Sequence, residues 1–116
     1  MKVFAISDLH LSTTVNKPMD IFGPNWSNHF LAIKEDWEKK VSDEDVVLMP
    51  GDFSWAIKSE DAESDFALFK ELKGKKVILR GNHDFWWNTI SQVRAILPEN
   101  FFAIQNDALK FGNLIV

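Results

Sequence analysis

The sequence has 116 residues, 46% of them apolar, with a formal net charge of -4; this is the length of one ordinary domain with enough apolar material for a core, and it excludes an intrinsically disordered chain. No basic block interrupts the acidic balance, which argues against a long nucleic acid and favours a small substrate. Cysteine is absent, which removes disulfides and thiolate metal sites, and no signal-like stretch or run of ~18 apolar residues occurs, so a cytoplasmic protein without membrane partners is expected.

Residues 2–7 read as a short strand buried on both faces, because β-branched and aromatic residues follow one another without polar interruption. This run leads into Ser7-Asp8-Leu9-His10. From Leu11 to Trp26 there is no steady period, and Pro18, Gly23 and Pro24 mark a loop. Connections of that length in compact domains are usually functional or mobile, and this one lies beside whatever Asp8 and His10 form. From Asn28 to Lys40, Phe30, Ile33, Trp37 and then Val41 recur at three- and four-residue steps opposite a charged face, predicting an amphipathic helix capped by Ser27 or Asn28.

Residues 45–49 form the second predicted strand, ended by Pro50-Gly51 and followed by Asp52-Phe53. Ser59 is the expected cap of a second helix with the apolar stripe Ala62, Phe66, Phe69 and Leu72, acidic first turns, and Gly74 at its close. Strand three, 75–80, delivers Arg80-Gly81-Asn82-His83-Asp84. A third helix from about Trp86 to Leu97 carries Ile90, Val93 and Leu97 on one side and stops at Pro98. The order is α/β, βαβαβα, and argues for parallel strands joined by right-handed crossovers. Beyond Pro98 the chain continues through Phe101 to Ile104 and a polar turn at 105–107 into a β-hairpin turning at Gly112-Asn113. It stops within Leu114-Ile115-Val116, the opening of a strand, so the sequence is expected to be the first part of something longer.

Three polar clusters thus leave three strand ends, where open α/β sheets bind their ligands. In extended backbone alternate side chains share one side, so Asp8 and His10 can reach a single metal. Gly81 permits a sharp turn, Asn82 offers a neutral oxygen, His83 a nitrogen acid or base, and Asp84 an acceptor behind them. Taken singly, each cluster is also ordinary turn chemistry. Together, Asp8-x-His10, Gly51-Asp52 and Gly81-Asn82-His83-Asp84 resemble the calcineurin-like metallophosphoesterase family.

The resemblance implies a fold in which the parallel core and hairpin make the first half of a β-sandwich flanked by helices, and a metal-dependent hydrolase acting on a small phosphoester, as phosphatase or phosphodiesterase. Asp8 and His10 would bind the first of two divalent metal ions, Asp52 would bridge both, and Asn82 would bind the second. His83 would stand by the scissile phosphate as general acid or hydrogen-bond donor, and Asp84 would support the ligands from behind. Mn, Fe, Zn and Ni all suit such mixed ligation. Trp55, Arg80 and Trp86 are candidates to line the substrate site; a surface position for Arg80 and core packing for the tryptophans are the favoured alternatives.

Two departures from the family pattern stand out. Trp55 occupies the place where many members carry an Asp that partners the catalytic His, which leaves the orientation of His83 open, with Asp84 the nearest candidate partner. The family's later His and Gly-His-x-His are also missing, because no His follows His83 and His29 is the one spare. Residues 1–116 are therefore expected to be a single truncated domain with weak metal binding and little turnover alone. The alternative is a non-catalytic α/β binding module retaining a partial metal site. A nuclease of the same family is a third reading, which the acidic balance disfavours.

Overall fold

Four strands, Val3–Ala5 (β1), Val46–Pro50 (β2), Lys75–Leu79 (β3) and Phe101–Ala103 (β4), form a parallel sheet in the order β1-β2-β3-β4. This comes from a computed structural model, which describes residues 1–15, 17–24 and 28–116. The register aligns Val3 with Val46, Val46 with Lys75, and Lys76 with Phe101. Three helices, His29–Lys40 (α1), Ser59–Ala67 (α2) and Ile90–Ile96 (α3), make the crossovers. An antiparallel hairpin, Lys110–Phe111 (β5) and Leu114–Ile115 (β6), follows.

A sheet whose strands run in sequence order through crossovers of one hand places every helix on the same face. That face holds the main core. Strand alternation sends Val47, Met49, Ile78, Phe101 and Ala103 toward Trp37 of α1, Ala62 and Phe66 of α2 and Val93 of α3. Phe53 stacks on Phe66 at 4.4 Å, and burial of each such ring contributes about 1.5 to 3 kcal/mol. The opposite set, Val46, Val77 and Ile104, packs with Leu109, Phe111 and Leu114 of the hairpin region. Asp45 joins the first two strands by accepting from Lys2 N at 2.7 Å and Ser42 N at 2.8 Å.

Several boundaries differ from the sequence reading for identifiable reasons. The first strand stops at Ala5 rather than 7, and Pro50 and Leu79 end the second and third. Asn28 takes the cap position of α1 in left-handed conformation without a side-chain cap bond; Ser27, the other candidate, lies outside the described residues. Ser59 is the first helical residue of α2, not its cap, and its hydroxyl accepts from Asn88 Nδ2. That helix ends at Ala67, although Phe69 and Leu72 stay buried in the turns beyond. Helix α3 starts at Ile90, not near Trp86, because Thr89 and Gln92 form a capping box there. Among the described residues no helix is long and apolar enough to cross a membrane.

Candidate metal centre

The loops after β1 and β2 do not part where the sheet ends. Asp8 N donates to Gly51 O, His10 N to Asp52 O, and Leu11 N to Phe53 O, each at 3.0 Å. Leu11 and Ser54 then form an isolated parallel bridge. Within this extension Asp8, His10 and Asp52 all adopt left-handed backbone, with φ of 59°, 47° and 52°. For residues other than glycine that conformation is uncommon and concentrates at sites where the surroundings enforce it. The pleat argument from an extended Asp8-Leu9-His10 therefore fails. The two side chains approach, His10 Nε2 to Asp8 Oδ1 at 3.8 Å, because the backbone turns at both residues while Leu9 between them is buried.

His10, Asp52 and His83 each present one potential ligand atom, all within 4.8 Å of one another. Asp52 is central. Its Oδ2 lies 3.8 Å from His10 Nε2 and 3.0 Å from His83 Nδ1, while Oδ1 accepts from His83 N at 2.9 Å. Burial pushes the Asp52 carboxyl up, but the His83 hydrogen bonds and the charges of His83 and His10 outweigh it and hold the group below its usual range. The Asn82 amide reaches both Asp52 oxygens at 3.1 and 3.2 Å. Turned with nitrogen inward it donates to both; turned with oxygen inward it confronts the carboxylate in the way that sharing a cation demands. His10 Nδ1 is buried without a hydrogen-bond partner. The other ring nitrogen, Nε2, faces Asp8 and Asp52, and an imidazole nitrogen beside converging carboxylate and imidazole groups suits a divalent cation of borderline softness. Asp8 stands at the rim, its side chain 59% exposed.

Asp84 organises the backbone under this cluster. Its Oδ2 accepts from Asp52 N and Gly81 N, and its Oδ1 from Phe53 N, Ser54 N and Trp86 Nε1. With both oxygens engaged in this way, Asp84 is not the partner of His83; Asp52 is, which answers the question raised by Trp55. Gly81 is needed for space, since an added β-carbon would meet Asp52 Oδ1 at 2.2 Å. Trp55 stacks on His10 with ring centres 4.7 Å apart and lies 5.0 Å from His83. Arg80 is exposed. Trp86 corrects the substrate-lining reading: it is 1% exposed and packs against Phe66, its polar edge consumed by Asp84.

Two supporting residues escaped the sequence reading. Asp65 of α2 is buried and accepts from Thr13 N at 2.9 Å, from the Thr13 hydroxyl and from the Ser54 hydroxyl, joining the loop after His10 to the loop after Asp52. The available signal was an acid on the apolar stripe, one turn from Ala62 and Phe69. His29 of α1 donates from Nε2 to Leu9 O at 2.7 Å, steadying the segment between Asp8 and His10.

The model of the calcineurin-like phosphoesterase family matches residues 1–114. The chain belongs to that family. No curated protein sequence matches it. Among solved structures, this calcineurin-like phosphoesterase chain is similar to a protein of unknown function from Aquifex aeolicus, with a TM-score of 0.61 and 17% identity. The match covers 97% of this chain and 56% of the Aquifex chain, so at that identity it attests the fold, over just over half of the neighbour's length.

Proposed function

We propose that these residues form part of the centre of a metal-dependent phosphoester hydrolase, with Asp8, His10, Asp52 and Asn82 as ligands of two divalent ions and a small phosphoester as substrate. The carrying observation is the convergence of His10, Asp52 and His83 within 4.8 Å at the carboxyl edge of the sheet. When bound, such ions supply charge neutralisation for the phosphoryl oxygens and an activated nucleophile. The chain's own residues do the rest. Asp52 stays anionic at neutral pH and holds His83 through both its backbone N–H and Nδ1. With Nδ1 so engaged, Nε2 of the half-exposed His83 ring is free to carry a proton to the leaving oxygen. A cytoplasmic location accords with the lack of cysteine.

The test compares monoester and diester turnover by the full-length protein with Mn added and removed. Activity is expected to depend on Mn and to fall about 100-fold or more in Asp52→Asn. Full activity in that variant would refute the bridging assignment.

A further inference from the structure

Beside the metal ligands lies a pocket of about 270 Å³ lined by Lys17, Pro18, Met19, Ile21, Phe22 and Trp55. Trp55 is the shared wall: the same ring that stacks on His10 and neighbours His83 closes this pocket, and its Nε1 donates to Met19 Sδ at 3.4 Å. Ile21 and Phe22 stand 75% and 67% exposed on a short 3-10 turn, Met19–Phe22. Large apolar side chains held open next to a polar site mark a place for an apolar ligand group.

We propose that this pocket is the leaving-group subsite and that it takes an aromatic alcohol esterified to phosphate. The inference rests on the hydrolase reading above. The volume, small beside ordinary ligand cavities, suits a ring system. Two aromatic rings and a thioether favour a planar π group over an aliphatic one. Lys17, which lines the pocket, holds its Nζ 5.6 Å over the Trp55 ring, a positive charge complementary to a phosphoryl group that would sit toward His10 and His83. In the reaction ROPO3(2-) and H2O give ROH and HPO4(2-). The bond from phosphorus to the leaving oxygen breaks, the water oxygen bonds to phosphorus, and one water proton ends on the leaving oxygen of the aromatic alcohol.

Naphthylethyl, octyl and ethyl phosphates, whose alcohols have similar acidity, would be compared as substrates of the full-length protein, with Mn present. Binding of naphthylethyl phosphate would be measured in parallel by calorimetry. The expected kcat/KM for naphthylethyl phosphate exceeds that for ethyl phosphate by about tenfold or more and exceeds that for octyl phosphate, and Phe22→Ser and Ile21→Ser each lower the naphthylethyl-to-ethyl ratio several-fold, the order of a lost apolar contact. Turnover without such preference, or a ratio indifferent to both variants, overturns the subsite while leaving the hydrolase reading intact. Equal preference for octyl phosphate overturns the assignment to a ring. No turnover, but naphthylethyl phosphate binding that both variants weaken, refutes the hydrolase reading and supports the pocket. Neither turnover nor binding refutes both.

Discussion

Asp52 fills the space that a side chain on Gly81 would need: a β-carbon there would stand 2.2 Å from Asp52 Oδ1 and 2.3 Å from Asp52 N. Gly51 crosses at the same point, where an added β-carbon would lie 2.8 Å from Gly81 Cα. The glycine was expected to serve a sharp turn; its role is close approach. Gly81→Ala is expected to displace the Asp52 carboxylate and weaken Mn binding by about 10- to 100-fold, as loss of a ligand's support does. A calorimetric titration giving unchanged affinity would rule this relationship out as the reason for glycine.

Asp84 takes five N–H donors on two oxygens. In Asp84→Asn one oxygen becomes an NH2 facing donors, so buried N–H groups lose their partner and the charge that strengthened the others is gone. The expected loss is about 3 kcal/mol of folding stability, read as a lower urea midpoint at unchanged slope. A loss within experimental error of zero would contradict the network.

The Asp65 clamp predicts an asymmetry between its two hydroxyl partners. Ser54 is fully buried, whereas Thr13 is exposed. Ser54→Ala strips a buried carboxylate oxygen of its donor and is expected to cost about 1 to 3 kcal/mol, while Thr13→Ala keeps its backbone N–H and admits water, costing under about 1 kcal/mol. Thermal unfolding of the two variants gives the ranking, and the reverse order would sink the account.

Lys76 predicts a dependence on pH. Its ammonium is buried over Trp37 and Phe101 and donates to the carbonyls of Leu72 and Gly74. Burial pushes its pKa from 10.5 down to about 8, against a smaller upward pull from Asp43. The folded value lies below the unfolded one, so between about 8 and 10.5 the folded chain binds fewer protons. Its contribution to stability therefore rises with pH through that window, and the penalty for the buried charge is fully present below about 8. Lys76→Met is expected to be more stable than the parent near pH 7, with the advantage narrowing near pH 10. Urea midpoints of the two proteins at both pH values check this; a constant difference would show that Lys76 does not titrate in the window.

The parallel topology was legible because apolar periods and Gly or Pro breaks alternate along the chain, and the order of the strands then leaves few connections open. The candidate ligand clusters were legible because Asp52, Asn82 and His83 fall just past Gly51 and Gly81, and Asp8 and His10 just past the apolar run that ends at Ile6. What local pattern could not give was backbone conformation and distant pairing. The left-handed turns at Asp8 and His10 arise from bonds to Gly51 and Asp52, more than 40 residues away. Asp65 meets Thr13 across 52 positions, and Trp86 sank into the core because Asp84, two residues earlier, offers its indole a partner.

The ladder that continues past β1 and β2, through the amides of Asp8, His10 and Leu11, ties the proposed ligands to the parallel sheet. Their amide hydrogens are expected to exchange as slowly as those of the sheet, since they open only when the sheet does. A cation bound at the proposed centre would meet backbone that is already ordered, so the free energy of its binding would appear as greater stability of the whole fold rather than as the tightening of a loop.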